Sequence, residues 1–173
     1  MTIKEDNISL EFSGQMIKYD DTNFYRKHIV ICHETKAIDI LALEKSPLFM
    51  IEIKDFRNYR IENKERINNG DLAIEFAHKI RDTIAGLYGA FRSNNEELEI
   101  FYSYLFCGKH HSIKAILLME EDQAQNIYEN KRRKILHREL KTKIEQQLGF
   151  FSVHSFVINI LELNTKNWDW TVL

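Results

Sequence analysis

Two short apolar runs dominate the first third of the chain. They are residues 37–43 (AIDILAL) and 48–54 (LFMIEIK), separated by Glu44-Lys45-Ser46-Pro47. Runs of this length, bounded by turn residues and apolar on both faces, predict strands buried in a sheet that is covered on both sides. Upstream, Ile8 to Phe12 reads as a short strand. Asp20-Asp21-Thr22 reads as the cap of a short helix reaching about His28, because Asp and Thr oxygens accept bonds from the first free backbone N–H groups. Ile29-Val30-Ile31-Cys32 follows as a β-branched run.

Downstream, Leu72, Phe76, Ile80, Ile84, Leu87 and Phe91 recur at helical spacing and predict a helix over 70–91, with Glu75, Lys79, Arg81 and Asp82 on its other faces. Residues 98–107 and 113–119 read as strands. Residues 122–148 read as a second long helix with Gly149 as its C-cap. Residues 153–163 read as a final strand, before a tail carrying Trp168 and Trp170 that packs onto the domain. Strands, helix, strands, helix, strand is the order of an α/β (α+β) fold. With no repeat and no Gly/Ser/Pro-rich boundary, residues 1–173 read as a single domain.

The chemistry concentrates on the first two runs. Paired as an antiparallel hairpin, their simplest register sets Leu43 against Leu48 and Leu41 against Met50, which brings Asp39 opposite Glu52. Lys54 shares the face of Glu52 in any register, because side chains alternate along a strand. A slip of one residue would separate Asp39 from both. Opposed side chains lie about 4.5–5.5 Å apart at Cβ. Two carboxylates at that spacing among Leu41, Met50, Ile51 and Ile53 need a compensating cation. Lys54 supplies one positive charge, and a hard divalent ion such as Mg²⁺, which takes one or two carboxylates plus waters and phosphate oxygens, suits the remainder. At a solvated strand edge the same residues would simply pair with Lys54 and Lys36.

Asp39, then Glu52-Ile53-Lys54, then a helix and a further strand resemble the PD-(D/E)XK nuclease superfamily over roughly residues 29–120. The stretches IEIKDFR and KIRDT are similar to those of a group of uncharacterised bacterial proteins within it. The resemblance implies a restriction-endonuclease-like mixed central sheet flanked by helices. It implies Mg²⁺, with Mn²⁺ as a substitute, held by Asp39, Glu52 and the main-chain carbonyl of Ile53. Asp39, Glu52 and Lys54 would be catalytic, Lys54 orienting or deprotonating the attacking water, for hydrolysis of a phosphodiester in DNA in preference to RNA. Lys79 and Asp82, on the following helix, would support the site. A homodimer would let both strands of a duplex be cut. Two features depart from the superfamily pattern: Ile38 replaces the Pro before Asp39, and the first core helix is not visible in the sequence. The alternative reading is a catalytically inactive form of the same fold serving as a protein or nucleic-acid interaction module.

Two further groups bear on a substrate. The segment after the motif, Asp55-Phe56-Arg57-Asn58-Tyr59-Arg60, alternates cations with aromatics, and Arg57 and Arg60 are the candidates for substrate phosphates. Between Tyr128 and Lys143 the chain carries Lys131, Arg132, Arg133, Lys134, Arg138, Lys141 and Lys143 against Glu129 and Glu139. Such a helix either follows a phosphate backbone or is a solvated face with Glu139 and Lys143 paired. The whole chain, with 24 Lys and Arg against 26 Asp and Glu, has no global attraction for nucleic acid or anionic membrane. Its two cysteines, Cys32 and Cys107, form no disulfide framework, and the polar first residues carry no signal-peptide core. Both features suit a cytoplasmic protein away from membranes. Cys107, His110 and His111 match no closed zinc spacing. No Gly-rich phosphate loop or Ser/His/Asp arrangement is present.

Overall fold

The computed structural model describes residues 1–5, 7–57, 66–108, 112–166, 168 and 170–172. It is a mixed α/β structure with two sheets and several helices. The larger sheet contains β3 (Gln15–Lys18), β4 (Ile40–Leu43), β5 (Leu48–Asp55), β6 (Ile113–Glu120) and β7 (His154–Ile158), in that spatial order. β3, β4 and β5 form an antiparallel meander, whereas β5, β6 and β7 run parallel. Parallel neighbours need long crossovers. Helices α1 (Asp71–Arg92) and α2 (Glu99–Phe106) supply the first, and α3 (Ile127–Leu148) the second. A smaller sheet pairs β1 (Thr2–Glu5), β2 (Ile8–Phe12) and β8 (Trp170–Val172), and α4 (Ile160–Asn164) lies between β7 and β8.

The central strands are buried on both faces, as their unbroken apolar runs predict. Leu41, Leu43, Leu48, Met50, Ala115 and Leu117 pack with Leu72, Phe76, Ile80, Leu140 and Ile144 on the helix-covered face. Ile40, Ala42, Phe49, Ile51, Ile53 and Ile116 pack with Ile8, Leu10, Phe12 and Trp170 beneath the small sheet. The tail closes that second core: the Trp170 ring stacks on Phe12 with centroids 4.3 Å apart, and Trp168 meets Phe49 and Phe156 edge-on or tilted.

Several expected elements differ. The strand expected over 98–107 is instead the end of a 3-10 turn, Glu96–Leu98, followed by helix α2, Glu99–Phe106. Asn95 accepts the N–H of Leu98, and Leu98, Phe101 and Tyr102 are buried at helical spacing. Their amphipathic placement outweighs the β-propensity of an aromatic-rich run. The β-branched residues 29–32 join no sheet: they end a π-helical turn, Tyr25–Ile29, and Val30 and Ile31 are exposed. Thr22 does cap that region, its hydroxyl accepting the N–H of Tyr25 at 3.1 Å. The strand expected over 153–163 stops at Ile158, where an Asn159/Glu162 capping box starts α4. The helix expected from 122 begins at Ile127, capped by Asn126. Gly149 is the C-cap of α3 as expected, but at φ −54° it is right-handed; Ser152, at φ 54°, takes the left-handed conformation after a 3-10 turn. Among the described residues no helix is long and apolar enough to cross a membrane, and Cys32 and Cys107 are both free.

Candidate functional site

The β4–β5 register pairs Leu43 with Leu48, Leu41 with Met50 and Ile40 with Ile51, which carries Asp39 alongside Glu52. Asp39 precedes β4 but remains tied to β5 by two bonds. Its N–H donates to the Ile51 carbonyl at 3.1 Å, and its Oδ2 accepts the Ile53 N–H at 2.7 Å. Alternation places Glu52 and Lys54 on the same sheet face as Leu48 and Met50, the face covered by α1. This is no solvated strand edge: Glu52 is 1% exposed and Asp39 9%.

Helix α1 completes the cluster. Glu52 Oε1 lies 2.6 Å from both Lys54 Nζ and Lys79 Nζ, and the Lys79 ammonium is also 3.8 Å from Asp39 Oδ1. Asp39 and Glu52 thus converge on one cation from the helix. Glu75, one turn before Lys79, reaches toward Lys54 at 3.9 Å and pairs with Arg66. The other oxygen of Glu52, Oε2, is buried without a hydrogen-bond partner. Such an atom forgoes several kcal/mol of solvation unless something pairs with it.

Burial pushes the Asp39 carboxyl up to about 7, and the neighbouring Glu52 charge adds to the effect. The Ile53 N–H, Lys79 and Lys54 oppose it. Burial works against the Lys54 ammonium, yet Glu52, Asp39 and Glu75 outweigh it and raise its pKa. Burial would raise Glu75, but Lys54 and Arg66 hold it below the ordinary range. Burial also raises Asp20, Lys18 opposing and the Asp39 charge adding; Asp20 Oδ1 is a second buried oxygen without a partner. Among the described residues, no three His, Cys, Asp or Glu side chains are grouped to hold a metal ion.

The expected supporting residues divide. Lys79 touches the carboxylates directly. Asp82 does not reach them: its Oδ2 accepts the Lys36 N–H at 3.0 Å, and Thr83 Oγ1 accepts the Ile38 N–H at 3.2 Å, so this turn of α1 fastens the segment leading into Asp39. From the far side, the Tyr19 N–H donates to the Asp39 carbonyl at 2.9 Å. Arg57 is held by Asp55, with Nε 2.7 Å from Oδ1 and a second contact at 2.5 Å to Oδ2. Alternation puts Asp55 on the sheet face opposite Glu52 and Lys54. Arg60 and Tyr59 lie outside the described residues, as do His110 and His111.

Sequence reasoning left out Glu75 and Asp20. Glu75 had a signal, since it stands four residues before Lys79 and so shares its face of the helix. Asp20 had none: only the return of β3 alongside β4 brings it near Asp39.

No family model matches the chain, and no solved structure matches it. A stretch of 71 residues is 39% identical to a cysteine–tRNA ligase of Neisseria meningitidis serogroup A; the match covers 39% of this chain and 10% of that protein. The chain therefore spans about a tenth of that relative's length.

Proposed function

We propose that this protein is a Mg²⁺-dependent phosphodiester hydrolase acting on DNA, with a restriction-endonuclease-like core. The antiparallel meander, the crossover helix and the parallel β6 follow the order that the Asp39 and Glu52-Ile53-Lys54 resemblance implies. The observation that carries the reading is the unpartnered, buried Oε2 of Glu52 beside Asp39. A buried carboxylate oxygen without a partner can accept a cation, so the residues present suit the ion. Asp39, Glu52 and the Ile53 carbonyl would hold it. When bound, the ion lowers the pKa of a coordinated water and polarises the phosphoryl group.

The chain's own residues have separable roles. Asp39 is oriented by the Ile53 N–H and fixed at its carbonyl by Tyr19. Lys54, held protonated by Glu52, Asp39 and Glu75, orients the attacking water and balances charge building on the phosphate. Lys79 keeps the two carboxylates together.

Lys79 also favours the second reading. An ammonium at 2.6 Å from Glu52 and 3.8 Å from Asp39 is the internal counter-ion that a noncatalytic interaction module would retain. Cleavage of plasmid, single-stranded DNA and tRNA with Mg²⁺ or Mn²⁺ separates the two. Glu52→Gln and Lys54→Met should each slow cleavage by roughly 10²–10⁴-fold. Binding without cleavage by the wild type would leave the module.

A further inference from the structure

α3 is anchored along only part of its length. Leu140, Ile144 and Leu148 are buried, whereas Ile127 is 72%, Tyr128 84% and Ile135 54% exposed. Its first turns are braced to the segment before them: His137 Nε2 lies 2.8 Å from Glu121 Oε2, and Arg133 bonds the Asp122 carbonyl and Glu129. These contacts use the inward side and leave the outer side open.

The seven cations of the helix fall into two sets. Arg133 is engaged as described, Lys141 pairs with Glu145 at 3.2 Å, and Lys143 reaches the Asn68 carbonyl at 3.4 Å rather than Glu139. Lys131, Arg132, Lys134 and Arg138 are exposed, and no carboxylate among the described residues pairs with them. At 3.6 residues per turn, Lys131, Lys134 and Arg138 share a side with Ile127, Tyr128 and Ile135, and Arg132 flanks it. A solvated face would interleave acids at i,i+4, and only Glu139 intrudes here.

The position of this face matters. The segment preceding α3 leaves β6 at Glu120, which pairs with Asp55, next to Lys54. Further along, Lys143 packs against Gly70, just before the helix that carries Glu75 and Lys79. The uncommitted cations therefore lie on the helix that starts just beyond the C-terminal ends of β5 and β6.

The geometry points to the outer face of α3, around Tyr128, Lys131, Arg132, Lys134, Ile135 and Arg138, as a docking element for duplex DNA beside the carboxylate site. The inference deepens the nuclease reading and rests on it for the substrate. Charge complementarity identifies the occupant: four exposed cations that no acid among the described residues matches share one face of one helix, in a chain that is otherwise acidic. Helix shape selects the duplex. A helix about 10–12 Å across fits the roughly 12 Å major groove of B-DNA, while the major groove of A-form RNA is too narrow to admit it. Cations contact phosphates, and Tyr128 and Ile135 meet sugar and base-methyl surface.

The test is fluorescence anisotropy of a labelled DNA duplex with EDTA present, so that cleavage plays no part, over a salt series. Replacing Lys131, Arg132, Lys134 and Arg138 together by Gln should weaken binding roughly 10²–10³-fold near 0.1 M salt and make the log–log salt slope shallower by about 3–4. Lys27→Gln/Arg92→Gln removes exposed cations elsewhere and should leave the slope unchanged. Circular dichroism confirms that each variant is folded, and Tyr128→Ala, which keeps every charge, should weaken binding without changing the slope. Wild type that fails to bind, an unchanged slope in the α3 variant, or tighter binding to an RNA duplex of equal length would overturn the inference. Salt-dependent binding through α3 without cleavage in Mg²⁺ would sink the nuclease reading alone. Cleavage that is lost in Glu52→Gln but intact in the α3 variant would sink the docking face alone.

Discussion

The ammonium of Lys79, on helix α1, lies 2.6 Å from Glu52 Oε1 on the central strand β5, so the buried carboxylate is matched by a cation from a separate element. Lys54 stands at the same distance but on the same strand. Lys79 thus binds the helix to both carboxylates, and it occupies the side where Asp39 and Glu52 converge. Lys79→Met should destabilise the metal-free protein by about 1–3 kcal/mol. That is below the 3–5 kcal/mol typical of breaking a buried pair, because Lys54 stays in place and Lys79 is partly exposed. Under the proposed function, with the competing cation gone, Mg²⁺ should raise the Tm of the variant more than that of wild type. Thermal melts with and without Mg²⁺ decide it, and a smaller metal-dependent rise in the variant would show that Lys79 assists the ion instead.

Asp39 gives the metal-free protein a pH dependence whose sign is fixed. Its folded value, about 7, lies above that of an unfolded aspartate. The native state therefore holds the proton more tightly than the unfolded chain does. The resulting stabilisation is fully present below about pH 4 and is lost as pH rises through about 7. Urea unfolding in EDTA should show wild type losing up to about 4 kcal/mol from this group between those limits. Asp39→Asn keeps an acceptor for the Ile53 N–H and should flatten that part of the profile. An unchanged slope in the variant would assign the effect to another group.

The legibility of this chain follows its physics. The β4–β5 register could be read because two short apolar runs with one turn between them leave one pairing that keeps Leu41, Leu43, Leu48 and Met50 together. That pairing also brings Asp39 to Glu52. What sequence could not supply was contact over long separation: the approach of Asp20 and the fastening of residues 36–38 by Asp82 and Thr83. Local propensity misled where tertiary packing overrode it, as at α2, whose Ile, Phe and Tyr residues favour strands in isolation. β3 was missed because Gln15–Lys18 is too short and too polar to declare a period; its pairing with β4 makes it a strand.

Gly86 prepares the site from a distance. A Cβ at this α1 position would run into the hydroxyl of Tyr19, which is fully buried and without a hydrogen-bond partner. Tyr19 in turn donates its N–H to the Asp39 carbonyl. Gly86→Ala gains helix propensity of about 1 kcal/mol yet should lose about 1–3 kcal/mol net through overpacking. Tyr19→Phe removes the oxygen and should relieve the clash, so the double variant should recover most of the loss. Denaturant midpoints of the two single variants and the double variant measure the coupling, and strict additivity would refute it.

Arg57 separates a charge near the motif from a charge in the site. Its guanidinium is bidentate on Asp55, which lowers the Asp55 pKa and belongs to the sheet face under the small sheet. Under the proposed function, a cation committed to that face would reach a phosphate at Asp39 and Glu52 only if the pair breaks. Arg57→Ala should therefore leave the cleavage rate within about twofold of wild type and cost no more than about 1 kcal/mol of stability, since the pair is solvent-facing on the arginine side. Lys54→Met, on the other face of the same strand, should suppress cleavage by orders of magnitude with a modest change in fold stability. Initial rates for the two variants, measured on one DNA substrate at saturating Mg²⁺, provide the comparison. A tenfold or larger loss in Arg57→Ala would mean that the Asp55 pair opens when DNA binds, and that both sheet faces contribute to the substrate path.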